Sequence, residues 1–153
     1  MVGKNNDSAH TCARIPTGSV GVEIGVWKGD SSARFLTRAS HLHLVDSWST
    51  VQWDFHHARP DWINKFDIVY SNSFDHSIDP SGALATWSDQ LTDLGRLYVE
   101  YSFHVKSRAW DPLEIQSNEL EHLFSQVGLC VLSTTPTSAA TGLKSLMYQL
   151  KRT

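Results

Sequence analysis

Short runs of β-branched and aliphatic residues alternate with stretches whose apolar residues recur every three or four positions. Val20-Gly21-Val22-Glu23-Ile24-Gly25-Val26 reads as a buried strand that ends in glycine. After the turn Trp27-Lys28-Gly29, Asp30 or Ser31 caps a helix whose apolar face carries Phe35, Leu36 and Ala39. His41 to Val45 is the next strand and ends at Asp46, and a short extended piece follows at Val51-Gln52-Trp53. Phe66-Asp67-Ile68-Val69-Tyr70 is a further strand, ending in Ser71-Asn72-Ser73. Helical spacing then links Leu84, Trp87, Leu91 and Leu94 in a helix from about Ser81, with Gly95 as its stop. Leu97-Tyr98-Val99 is a strand ending at Glu100. Leu120, Leu123, Phe124 and Val127 mark a last helix stopped by Gly128. Leu129 to Ser133 and Leu146 to Leu150 form a terminal hairpin.

Strands alternating with helices predict a largely parallel α/β sheet. Such sheets bind ligands at the carboxyl ends of their strands. Glu23, Gly25, Asp46, Asp54, Ser71 to Ser73 and Glu100 all stand at such ends. Residues 1–18, polar and carrying Pro16, read as an N-terminal tail, and 19–153 as one domain.

The first strand–turn–helix junction admits two readings. Its glycines let backbone approach a ligand at a helix N-terminus, or they serve only the tight turn. The spacing is not that of the dinucleotide fingerprint, which argues against a nicotinamide oxidoreductase. Asp46 either accepts ribose hydroxyls or ends a strand as an ordinary turn residue. Asp54 with Phe55 either holds an adenine by hydrogen bond and stacking, or is a loop acid beside a core aromatic.

Taken in order, these segments resemble class I S-adenosylmethionine-dependent methyltransferases, in particular small methyltransferase-domain proteins of uncharacterised substrate. The resemblance rests on Val22 to Gly29, Leu44-Val45-Asp46, Trp53-Asp54-Phe55, Phe66 to Ser73 and Leu94 to Leu97, and it spans Val20 to Leu150. It implies a Rossmann-like, mostly parallel sheet with helices on both faces and a C-terminal antiparallel hairpin. It implies S-adenosyl-L-methionine as cofactor, with Glu23 and Gly25 against its methionine part, Asp46 on the ribose, Asp54 and Phe55 on the adenine, and the Ser71 backbone on the amino group. Val26, Trp27, Gly29, Ser31 and Ser47 complete that expected cofactor set. The acceptor is expected over Asn72, Asp75 and His76, with His104 approaching from the next strand. The chain departs from the family pattern at Trp27, at the shortened segment between the second and third strands, and at Asp93-Leu94-Gly95.

Methyl transfer from a sulfonium is a displacement at carbon, so the protein chiefly orients the reactants. An oxygen or nitrogen acceptor also benefits from a base. Histidine titrates near neutrality, which makes His76, with Asp75 beside it, the candidate pair. The plainer reading of His76 is a loop residue capping the next helix. Eight histidines raise the question of a metal. Adjacent His56 and His57 point apart on extended backbone and no helical pair occurs, so no metal is expected.

Composition narrows the partners. Thirteen basic against sixteen acidic residues give a net charge of −3, with no basic cluster to bind nucleic acid. Two distant cysteines suggest reduced thiols rather than a disulfide framework. No apolar run reaches the ~20 residues that span a bilayer. The expected protein is a cytoplasmic methyltransferase, monomer or homodimer, acting on a small, hydroxylated or sugar-like acceptor through O- or N-methylation. The competing expectation is a catalytically inactive binding or interaction module on the same fold.

Overall fold

A computed structural model describes residues 17–24, 41–45, 51, 53–103, 106–109, 111–138 and 144–153. Six strands form one sheet in the order β2-β1-β3-β4-β6-β5. They are β1 (Val20–Ile24), β2 (His41–Val45), β3 (Phe66–Ser71), β4 (Leu91–Ser102), β5 (Leu129–Ser138) and β6 (Lys144–Arg152). Strands β1 to β4 run parallel, while β6 lies antiparallel between β4 and β5. Two α-helices are described, α1 (Pro80–Asp89) and α2 (Ser117–Gln126). The helix expected after β1 falls outside the described residues. No helix among the described residues is long and apolar enough to cross a membrane.

Alternation along the strands divides the apolar residues between two faces. Val22, Ile24, Val69, Leu97, Val99, Tyr148 and Leu150 form one cluster with Ala83, Leu84 and Trp87 of α1 and Leu120 and Phe124 of α2. Ile68, Tyr70, Tyr98 and Met147 form a second cluster. Polar ends fix the helices. The Asp79 side chain accepts from Gly82 N–H at 3.0 Å, capping α1. Gln116 and Glu119 form a reciprocal capping box on α2. Gly128, at φ +74°, turns the chain from α2 into β5, a conformation glycine adopts without steric cost.

The structure corrects the sequence reading first at the junction of α1 and β4. Leu91 and Leu94 are not on the helix. It ends at Asp89, and β4 begins at Leu91, paired with Phe66. The last helical carbonyls explain the change of direction. Asp89 O accepts from Asn64 N–H, and Gln90 O accepts from Lys65 and Phe66 N–H, each at 2.9 Å. These bonds pull the chain into the sheet beside β3. Leu94 then lies 84% exposed, where a helical core position would be buried. Of the extended piece expected at residues 51–53, Val51 forms a bridge, Trp53 lies in no strand, and residue 52 lies outside the described residues. The terminal hairpin is longer than expected and takes Pro136 into β5, on the sheet's edge.

Candidate functional site

The carboxyl ends of β1, β3 and β4 define the edge that the sequence singled out. Glu23, second from the end of β1, is 2% exposed and sits level with Tyr70 in the ladder. Ser71 ends β3, is fully buried, and is paired with Ile24 on one side and Val99 on the other. Its hydroxyl accepts from Ser73 N–H at 3.1 Å, turning the chain off the sheet. Asn72 is exposed at that turn and accepts from the Ser73 hydroxyl at 3.2 Å. On β4, Glu100 accepts from the Tyr70 hydroxyl at 3.1 Å.

Directly after β3, Phe74–His76 forms a single 3-10 turn. Phe74 anchors it, buried edge-on against Trp87 at 5.7 Å and Tyr101 at 6.3 Å. With Phe74 pinned inward, Asp75 and His76 are held at the rim. The cap of α1 is Asp79, so His76 does not serve there. His76 Nε2 lies 3.2 Å from Asp111 Oδ1 and 3.8 Å from Asp75 Oδ1. Asp75 Oδ1 is buried and has no hydrogen-bond partner among the described residues. Burial pushes the Asp75 carboxyl above the ordinary carboxylate range; His76 opposes that rise and the Asp111 charge adds to it.

Sequence reading missed Asp111. It sits in a long loop just before Pro112, and nothing in its neighbours marks it out. One donor atom each from Asp75, His76 and Asp111 falls within 4.8 Å of the others. That spacing could hold a cation, and it is a spatial grouping that no run of sequence displays.

A second cluster lies on the segment before β3. Asp54 Oδ1 accepts from His56 N–H at 2.9 Å and faces His56 Nδ1 at 2.7 Å. These two contacts, the backbone one foremost, hold the Asp54 carboxyl below its usual range. The other ring nitrogen of His56 meets Ser77 Oγ at 2.9 Å. Asp54, His56 and Ser77 thus line up as a carboxylate–imidazole–hydroxyl chain. Ser77 is only 2% exposed, so its hydroxyl acts as a tie rather than a nucleophile. Phe55 packs on Trp87 with ring centroids 5.7 Å apart, and Trp87 Nε1–H donates to Phe55 O at 3.1 Å. The structure therefore brings Asp54 and Phe55 together, but it commits one oxygen of the acid to His56 and one side of the ring to the core. Beyond them, Arg59 lies over Trp53 and Trp62, at 5.2 and 4.6 Å from the ring centroids.

Of the residues expected at the site, Glu23, Asp54, Phe55, Ser71, Asn72, Asp75 and His76 are described. Gly25, Val26, Trp27, Gly29, Ser31, Asp46, Ser47 and His104 lie outside the described residues.

No family model matches the sequence, and no curated protein matches it. Solved structures do match it. The 1,6-didemethyltoxoflavin-N1-methyltransferase of Burkholderia thailandensis, solved with 1,6-didemethyltoxoflavin and S-adenosylhomocysteine, is similar at TM-score 0.80 and 17% identity, over 95% of this chain and 76% of that one. A TehB-like methyltransferase of Corynebacterium glutamicum is similar at TM-score 0.74 and 15% identity, over 99% and 89% of the two chains. The [4+2]-cyclase SpnF is similar at TM-score 0.79 and 11% identity, over 95% and 80%. The architecture is thus that of the class I S-adenosylmethionine-dependent methyltransferase fold. The cyclase shows that this fold hosts other reactions, so function has to be argued from the site.

Proposed function

We propose that the protein transfers a methyl group from S-adenosylmethionine to a hydroxyl or amine of a small, hydroxylated or sugar-like acceptor. The observation that carries this reading is the Phe74–His76 turn, which sets a histidine flanked by two carboxylates at the carboxyl edge of the sheet, next to Ser71.

The described residues suit the cofactor's charges. A sulfonium and an ammonium are cationic, and the buried Glu23 is an acidic group near the carboxyl end of β1, where ligands of such folds bind. Glu23 and the Ser71 backbone would hold the methionine part and Asp54 with Phe55 the adenine side. From the undescribed rim, Gly25, Val26, Trp27, Gly29, Ser31 and Ser47 would join them, with Asp46 on the ribose. When bound, the cofactor supplies the activated methyl group. Asn72 and His104 would contact the acceptor. His76 receives the acceptor's proton as general base, and Asp75 steadies the resulting imidazolium. The charge balance and apolar pattern of the sequence support a cytoplasmic setting without nucleic-acid or membrane partners.

Ligand-dependent melting tests the first half. S-adenosylhomocysteine at a hundred times its Kd stabilises the fold by about 2.7 kcal/mol, and NAD leaves it unchanged. Calorimetry on Asp46→Ala then shows markedly weaker binding. Methyl release with a panel of hydroxylated metabolites tests the second half. His76→Ala cuts turnover about 100-fold or more while S-adenosylhomocysteine affinity holds. Full turnover in that variant removes His76 from the mechanism, and stabilisation by NAD alone removes the whole reading.

A further inference from the structure

The segment that follows β4 is built to deliver one side chain. Arg108 and Asp111 exchange backbone hydrogen bonds, N–H to O at 2.9 and 3.1 Å, closing a tight turn. Ser107 N–H donates to Glu114 Oε2 at 3.1 Å and closes its base. Two further bonds dock this arm on the site. Leu113 N–H donates to Asp75 O at 3.1 Å, and the Tyr101 hydroxyl donates to Leu113 O at 2.8 Å. One bond ties the arm to the turn that carries His76, and the other ties it to β4. Asp111, its side chain 17% exposed, is thereby set 3.2 Å from His76 Nε2.

Among the described residues, the two carboxylates paired with His76, those of Asp111 and Asp75, lie nearest the same ring nitrogen, Nε2. Asp111 Oδ1, at 3.2 Å, is within charge-pairing reach of Nε2, and a carboxylate there favours a ring proton on Nε2 over one on Nδ1. The lone pair is then on Nδ1. Contacts of this kind are commonly loose before ligands bind and tighten in the complex.

We infer that Asp111 is a positioning residue that holds His76 with Nε2 protonated, leaving Nδ1 as the nitrogen that accepts the acceptor's proton. The step is a single proton transfer. The acceptor O–H bond breaks, the Nδ1–H bond forms, and the electron pair stays on the acceptor oxygen. The ring becomes an imidazolium whose charge Asp111 and Asp75 face. The inference rests on the proposed role of His76 as base and adds the group that orients it.

Carbethoxylation by diethylpyrocarbonate reads His76 without any acceptor, because the reagent attacks an unprotonated ring nitrogen. Peptide mass mapping follows His76 alone in the native chain, Asp111→Asn and Asp111→Glu at mildly alkaline pH. A carboxylate beside one ring nitrogen keeps the proton there and leaves the lone pair on the other, the nitrogen that attacks the reagent. Modification of His76 therefore slows several-fold in Asp111→Asn and recovers in Asp111→Glu. Both variants still unfold in one cooperative transition, and S-adenosylhomocysteine affinity stays at the native value. With an acceptor from the metabolite panel, Asp111→Asn lowers kcat about 10- to 100-fold at unchanged KM. If no acceptor is methylated but the carbethoxylation pattern holds, the methyltransferase reading fails and the orienting role of Asp111 stands. Unchanged or faster modification of His76 in a folded Asp111→Asn chain overturns the inference.

Discussion

At the scale of single residues, Asp75 carries the largest physical conflict in the site. Its Oδ1 is buried without a hydrogen-bond partner among the described residues, and the Asp111 carboxylate is close by. An acid whose folded-state pKa lies above its unfolded one binds its proton more tightly when folded. Its contribution to stability is therefore fullest below the ordinary value of 3.8 and is lost as pH rises through the raised value. Asp75→Asn removes the titration and keeps the shape. That variant melts above the native chain at neutral pH, and the two melting curves converge as pH falls below 3.8, which a pH series of thermal scans measures directly. A native chain that melts higher at neutral pH would show that ionised Asp75 is satisfied in solution. Asp75 and His76 were legible as candidates because they are polar residues directly after a recognisable strand. Asp111 was not, because its meeting with His76 depends on how a long loop folds back, and periodicity says nothing about that.

At the scale of elements, the strands were readable where an apolar, β-branched run ended in a polar residue, as at Phe66 to Ser71, or where apolar and polar residues alternated, as at His41 to Val45. The start of β4 was not. Leu84, Trp87, Leu91 and Leu94 sit at spacings of three and four, which suit a helix face, but the backbone bonds at residues 64–66 take Leu91 for the sheet. Gly95 is the position where the difference can be tested. If it merely stopped a helix in solvent, an alanine would be tolerated. In the structure, a Cβ at Gly95 would meet Phe66 O at 2.8 Å and Thr92 O at 3.0 Å, across the irregular start of the β3–β4 ladder. Gly95→Ala is therefore expected to destabilise the fold by about 1–3 kcal/mol. Its exposed neighbour supplies the control, since Leu94→Ala should fall within about 0.5 kcal/mol of native. Denaturant unfolding of the pair decides it, and equal stability of the two variants would return Gly95 to a surface turn.

At the scale of the whole molecule, α1 and the short segment ahead of β3 hold each other. Between Val51 and β3 the described residues contain only a 3-10 turn, Pro60–Trp62, and no α-helix. The segment's backbone is satisfied from α1 instead, since Thr86 Oγ1 donates to His56 O at 3.1 Å and Trp87 Nε1 to Phe55 O at 3.1 Å. His56 then reaches Ser77, which follows the turn bearing Asp75 and His76. The proposed adenine side and the proposed acceptor side are thus joined through one imidazole. Removing it frees the Ser77 hydroxyl and takes one of two bonds from Asp54 Oδ1, which keeps the backbone N–H of residue 56. His56→Ala is expected to cost about 1–3 kcal/mol, mainly through the buried hydroxyl left without its partner. It should also speed amide exchange at residues 53–57 and weaken S-adenosylhomocysteine binding. Asp111→Asn should do neither, because the Asp111 side chain pairs with His76 and not with His56 or Ser77. Native exchange and native affinity in His56→Ala would mean that the two sides are independent, and that the imidazole links them in space without coupling them.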